Sequence, residues 1–254
     1  MSEMQGGQGD GDDRGEPGDR VGVAGRRVVV AGATSASGQA TCGALADAGA
    51  QVVALGSNAG RLDELALRVP GIATEVCDLT DSSAVDTLAL RLSASGPVDG
   101  LVHLVGGWVG GRGISGQTDD GWTTVEASFR TLRNTTRAFY PALVASDEGR
   151  VAFVSSTSVD APTASGADYT AAKAASESWM RSLAHGFRTD QGESELHSAA
   201  VVFVVKALVD DRMRAAAPEK TFPGYTEVDT LAAAVVGLWD APAGELDGAR
   251  IRLP

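Results

Sequence analysis

Tyr169-Thr170-Ala171-Ala172-Lys173 sets a phenol and an ammonium four residues apart. On a helix that spacing brings both side chains onto one face. A lysine cation near a phenol favours the phenolate and lowers the tyrosine pKa towards the range of a general acid/base. Ser156, in the run Ser155-Ser156-Thr157-Ser158, lies thirteen residues earlier, where an apolar segment ends. A hydroxyl at the carboxyl end of a strand can hold a substrate oxygen, because ligands of open α/β sheets gather at that edge. Together the three side chains describe proton transfer to or from an oxygen atom. A Tyr–Lys pair alone would equally describe a solvated helix face.

A second group of residues suits a phosphate. Gly32 and Gly38 bracket Ala33, Thr34, Ser35, Ala36 and Ser37 between an apolar run and a helical pattern. Glycine there lets the backbone approach a pyrophosphate, and the helix N-terminus supplies free N–H groups and the positive end of its dipole. A carboxylate about 20 residues further on would hold the ribose 2′-hydroxyl of NAD. Residues 51–60 contain no acid. Ser57 and Asn58 end the second apolar run, and Arg61 follows within reach of a 2′-phosphate. The expected cofactor is therefore NADP, with NAD possible.

These groups need a scaffold, and the hydrophobic pattern describes one. Strands are expected at residues 28–31, 51–55, 72–77, 98–105, 151–154, 199–205 and 249–253. Helices are expected at 38–49, 61–68, 81–94, 120–145, 167–188 and 228–239. Strands alternating with helices predict an α/β fold, a doubly wound, Rossmann-like parallel sheet of seven strands in one domain. That domain spans residues 26–254. Residues 1–25, rich in Gly, Asp and Glu, have too little to bury and read as a disordered acidic tail.

The 254 residues are 43% hydrophobic and 21% charged, enough to bury a large core without disulfides or metal. A net charge of −12 argues against nucleic acid and anionic membranes as partners. No run approaches the roughly 20 apolar residues of a membrane span. No signal pattern opens the chain, and a cytoplasmic location is expected. Cys42 and Cys77 make neither a disulfide framework nor a metal cluster, so no metal is expected and both read as buried structural thiols.

The glycine turn, Asp78-Leu79-Thr80, Ser156 and Tyr169–Lys173 fall in an order that resembles the short-chain dehydrogenase/reductase family over roughly residues 25–254. The resemblance implies an NAD(P)-dependent oxidoreductase acting on a small-molecule carbonyl or alcohol, and a homodimer or homotetramer formed through the two long helices. It implies that Tyr169 moves the proton, that Lys173 holds the nicotinamide ribose and tunes Tyr169, and that Ser156 holds the substrate oxygen. Asp78 and Leu79 would contact the adenine, and Gly106 would border the cofactor. Several positions depart from the family pattern. The middle glycine of the turn is Ala36. The Asn-Asn-Ala-Gly stretch reads His103-Leu104-Val105-Gly106, with His103 expected to hydrogen-bond within the sheet. The relay asparagine falls at Ser128. The Pro-Gly pair after the sixth strand reads Lys206-Ala207, and a later threonine is Asp211. Lys206 could hold a cofactor phosphate or an anionic substrate, or extend into water.

Residues 106–118, around Trp108 and Arg112, and residues 206–226, with Leu208, Met213, Phe222 and Tyr225, read as two loops flanking the site. Their apolar content suits a medium-sized organic substrate. Two other readings share the scaffold: a nucleotide-binding protein without redox turnover, and a non-redox isomerase or lyase.

Overall fold

The computed structural model describes residues 22–192 and 196–254. Val-rich runs too apolar for a surface form the inner strands, while the edge strand at residues 73–76 is exposed to half-buried. In chain order these are β1 (Arg27–Ala31), β2 (Gln51–Gly56), β3 (Ala73–Val76), β4 (Gly100–His103), β5 (Arg150–Ser156) and β6 (Ala199–Val205). The helices among them are α1 (Ala36–Asp47), α2 (Ala59–Arg68), α3 (Ser82–Ala94), α4 (Asp119–Ala145) and α5 (Ala167–Gln191). After β6 come β7 (Leu208–Val209), α6 (Asp211–Ala216), β8 (Thr226–Glu227), α7 (Val228–Val236), α8 (Ala243–Leu246) and β9 (Arg250–Arg252).

Seven strands make one sheet in the order β3-β2-β1-β4-β5-β6-β9, and every pairing is parallel. Successive side chains leave a strand on opposite faces, so the inner strands feed two cores. Val29, Ala31, Val53 and Leu55 pack with Leu88, Leu132, Phe139, Met180 and Phe187 from α3, α4 and α5. Val28, Val30, Val52 and Ala54 pack with Cys42, Leu45, Leu62, Leu231 and Val235 from α1, α2 and α7. All seven residues of β6 are buried, as a strand covered on both faces requires. The chain reverses its direction across the sheet between β1 and β4, and ligands of such sheets bind at that switch point.

Three details differ from the sequence reading. The fourth strand ends at His103 rather than residue 105, because Leu104 and Val105 turn across the end of β1. Residues 206–226, expected as a loop, contain α6 and a second, two-stranded parallel sheet, β7–β8. Residues 22–25, assigned to the tail, are packed on the domain: Val23 is buried and the Gly25 N–H donates to the Gly49 carbonyl at 2.9 Å. The rest of the expected tail, residues 1–21, lies outside the described residues. No described helix is long and apolar enough to cross a membrane.

Arg150, the first residue of β5, has its guanidinium inside the domain. It donates to the carbonyls of Leu238, Gly149, His197 and Ala241 at 2.8–3.0 Å. Removing it orphans several buried acceptors, each of which costs about 1–3 kcal/mol. Arg150→Met should therefore lower stability by about 3 kcal/mol. Urea unfolding checks this, and a midpoint equal to wild type would contradict it.

Candidate active site

One cavity of about 790 Å³ opens at the switch point. Ser35 and Ser37 from the first turn, Gly106 after β4, Ser156 at the end of β5, and Tyr169 and Lys173 from α5 all line it. The glycine turn and the trio of Ser156, Tyr169 and Lys173 thus line one cavity.

The turn is built by two backbone crossings. Gly32 has φ +82°, and a Cβ on it would lie 2.9 Å from the Leu104 carbonyl. A Cβ on Gly38 would lie 2.3 Å from the Gly32 oxygen. Neither contact leaves space for a side chain, so α1 must start where β1 ends. Ser35 caps α1, accepting from the Gly38 N–H at 3.0 Å and donating to the Gly32 carbonyl at 2.9 Å. The N–H groups of Ala36 and Ser37 stay at the open end of the helix. Ala36 is exposed, so its methyl costs the turn no room. A tight turn closed by Gly32 and Gly38, with an open helix N-terminus beside it, fits a pyrophosphate.

Around the adenosine end the expected residues fall as follows. Ser57 is exposed just beyond β2. The Asn58 side chain caps α2 by accepting from the Arg61 N–H at 3.0 Å. Asp78 is exposed and accepts from both the N–H and the hydroxyl of Thr80, which hold its carboxyl below the usual range. Leu79 is buried, and its carbonyl accepts from Asn134 of α4 at 3.0 Å.

Ser156 is 4% exposed and accepts from the Ser158 N–H at 3.1 Å. Its own hydroxyl faces Tyr169, a contact that favours the phenolate. Lys173 donates to the Val154 carbonyl at 2.7 Å and lies 4.6 Å from the Phe153 ring centre and 5.8 Å from that of Tyr169. Burial brings its pKa down to about 8, against the opposing pull of Glu177. The Tyr169 pKa is not lowered as its spacing to Lys173 suggested. Burial raises it, and hydrogen bonding with Ser156 only partly opposes this. The correction has a geometric cause: the Lys173 ammonium is spent on a carbonyl and on ring faces rather than on the phenol oxygen.

Ser128 of α4 does join this group. The point where Gly106 lacks a Cβ is 3.2 Å from the Ser128 hydroxyl and 3.9 Å from the Lys173 Nζ. Gly106 has φ +145°, which suits glycine alone. Beside it, His103 is 1% exposed, with Nε2 3.1 Å from the Thr131 hydroxyl. Thr131 spends its proton on the Ser128 carbonyl at 3.0 Å. His103 Nε2 must then be the donor, leaving Nδ1 as the bare nitrogen. Burial, with Lys173 nearby, pulls the His103 pKa down to about 3, so the ring is neutral; it bonds to helix α4 through Thr131 rather than within the sheet as expected from the sequence.

Lys206 donates to the Pro223 carbonyl at 2.8 Å and lies 5.6 Å from the Tyr225 ring centre. It ties together the two ends of the 206–226 flank. Trp108, Met213, Leu208 and Tyr225 line the cavity, whereas Asp211 is exposed at the start of α6. Both cysteines are free and buried, and burial pushes the Cys42 thiol up to about 12.

Sequence reasoning missed a support under the trio. Glu177, 4% exposed, accepts from the Ser155 hydroxyl at 2.5 Å and from Arg250 at 3.0 Å. It joins β5, α5 and β9 directly beneath Ser156 and Lys173. Its position one helical turn beyond Lys173 was the available signal. Asn134, Arg68 and Arg212 were also missed, and nothing local marks them.

A family profile described as short chain dehydrogenase matches residues 26–220. The L-xylulose reductase of Mesocricetus auratus is 43% identical over 83 residues, which is 33% of this chain and 33% of that one. A metagenomic short-chain oxidoreductase solved in complex with NADP superposes with a TM-score of 0.73 at 25% identity, covering 91% of this chain and 99% of that one. The NADPH-bound short chain oxidoreductase of Pseudomonas aeruginosa PAO1, with an atypical catalytic center, gives 0.76 at 22% identity, covering 90% and 95%. The chain belongs to the short-chain dehydrogenase family.

Proposed function

We propose that the protein is an NADP(H)-dependent oxidoreductase that reduces a carbonyl, or oxidises a secondary alcohol, of a medium-sized organic substrate. The observation that carries this reading is the shared cavity, in which Ser156, Tyr169 and Lys173 stand beside the glycine turn. NADP rather than NAD is supported by the absence of an acid at the end of β2. A cavity lined by Arg61, Arg68 and Arg212 supports it further, as do family structures solved with NADP or NADPH.

When bound, the nicotinamide supplies or accepts the hydride. The chain's own side chains handle the oxygen and its proton. Ser156 donates a hydrogen bond to the substrate oxygen. Tyr169, a phenol whose pKa burial raises further, transfers its proton to that oxygen as charge develops there. Lys173 offers its remaining ammonium protons to the ribose and stabilises the phenolate left behind. Trp108, Leu208, Met213 and Tyr225 supply an apolar wall for the substrate.

Tyr169→Phe removes the transferable proton without changing the cavity's shape. It should lower turnover of any accepted ketone by roughly 10²–10⁴-fold, with NADPH binding close to wild type. Near-normal turnover in this variant would sink the acid/base role.

Lys173 adds a pH dependence. Its folded pKa is about 8, so the cation present near neutral pH is lost as pH rises through that value. NADPH affinity should weaken above about pH 8, measured by nicotinamide fluorescence across a pH series. Lys173→Arg, which stays charged, should remove the alkaline loss. A flat wild-type profile would contradict the assignment.

A further inference from the structure

Resting on the NADP reading above, we propose that Arg212 and Arg61 clamp the cofactor's 2′-phosphate. Helix α6 of the substrate flank thereby becomes part of the cofactor site.

A second cavity, of about 450 Å³, is lined by Thr34, Gln39, Arg61, Glu64, Arg68 and Arg212. Three arginines line it against a single acidic residue, Glu64. This reverses locally the sign of a chain whose net charge is −12. Arg68 is already engaged, donating to the Gln39 side chain at 2.6 Å and to the Glu64 carbonyl at 3.2 Å. Gln39 in turn donates to the Thr34 carbonyl at 2.9 Å. These bonds build a wall of the cavity. The Arg61 and Arg212 side chains make no hydrogen bond or ion pair among the described residues, and both are exposed. Two unengaged guanidinium forks suit a phosphate dianion, which takes paired N–H donors well.

The location fits a phosphate carried on the adenosine ribose. Thr34 lines this cavity, while the next residue, Ser35, lines the larger one. An anion here therefore lies one residue from the pyrophosphate cradle. It is also beside an end of β2 that offers no carboxylate to repel it.

Arg212 makes the site more than an affinity device. Its neighbour Met213 lines the substrate cavity, so six-residue α6 spans both sites. No residue of α6 is buried. A helix this short has little stability of its own, and without buried apolar contacts it belongs to the easily opened part of a fold. Asp210, capping the Met213 N–H at 2.8 Å, and the Arg214–Glu227 ion pair hold it in place. A bond from Arg212 to a phosphate adds a third tie. NADP(H) should then order the substrate flank, and NAD(H) should not.

The test uses the full chain, with the adenosine half of the cofactor as probe. Calorimetry should show adenosine 2′,5′-bisphosphate binding more tightly than adenosine 5′-monophosphate. Arg212→Gln, at an exposed position, should weaken the bisphosphate about tenfold and leave the monophosphate unchanged. Hydrogen exchange at residues 211–216 should slow with NADPH more than with NADH in wild type, but equally in Arg212→Gln. Equal binding of the two nucleotides to wild type would overturn the NADP reading itself, and the clamp with it. Preference for the bisphosphate that survives Arg212→Gln would overturn the clamp alone.

Discussion

The architecture depends on the close crossing of three backbones at the carboxyl end of β1. Gly32 passes within van der Waals contact of the Leu104 carbonyl, and Gly38 packs on Gly32 itself. No side chain fits at either glycine, so the end of β1, the exit from β4 and the start of α1 are fixed relative to one another. The proposed phosphate cradle hangs on that crossing. It aims the open end of α1 into the cavity, and it sends the chain after β4 past Gly106 towards Lys173. Ala36, which departs from the family pattern, lies outside the crossing and is exposed.

The second constraint is electrostatic. Lys173 is a buried cation that needs partners, and it finds the Val154 carbonyl, two aromatic faces and the field of Glu177. Glu177 is itself buried and is satisfied by Ser155 and Arg250. Buried charges are tolerated only when paired and hydrogen-bonded, so this network specifies how β5, α5 and β9 meet. Ser156 and Tyr169 stand on two of those elements and inherit their precision from it. The same low-polarity surroundings raise the Tyr169 pKa further, which suits the proposed role of the phenol as an acid.

Much of this was legible in the sequence because it is local. Val28–Val30 and the run at 199–205 can only be buried strands, and the alternation of such runs with helical windows implies a parallel sheet. The glycine turn and the Tyr169–Lys173 spacing are likewise short-range patterns. What escaped depends on residues distant in the chain. Strands β7 and β8 are two residues each and owe their pairing to a Thr226–Ala207 hydrogen bond, not to periodicity. Arg250 meets Glu177 across 73 residues, and Arg212 reaches the cavity beside Thr34 only through the path of the flank. The pKa of Tyr169 was misjudged for a related reason. Spacing places Lys173 on the same face, but only the fold shows that its ammonium turns to Val154.

The cavity at the switch point is proposed to receive a nicotinamide dinucleotide carrying a 2′-phosphate. The most direct measurement is a titration of the full chain with NADPH and, separately, NADH, followed by the fluorescence of the reduced nicotinamide. The account predicts saturable NADPH binding at concentrations where NADH binds weakly. Preference for NADH would contradict the cofactor assignment, and binding of neither would contradict the oxidoreductase reading.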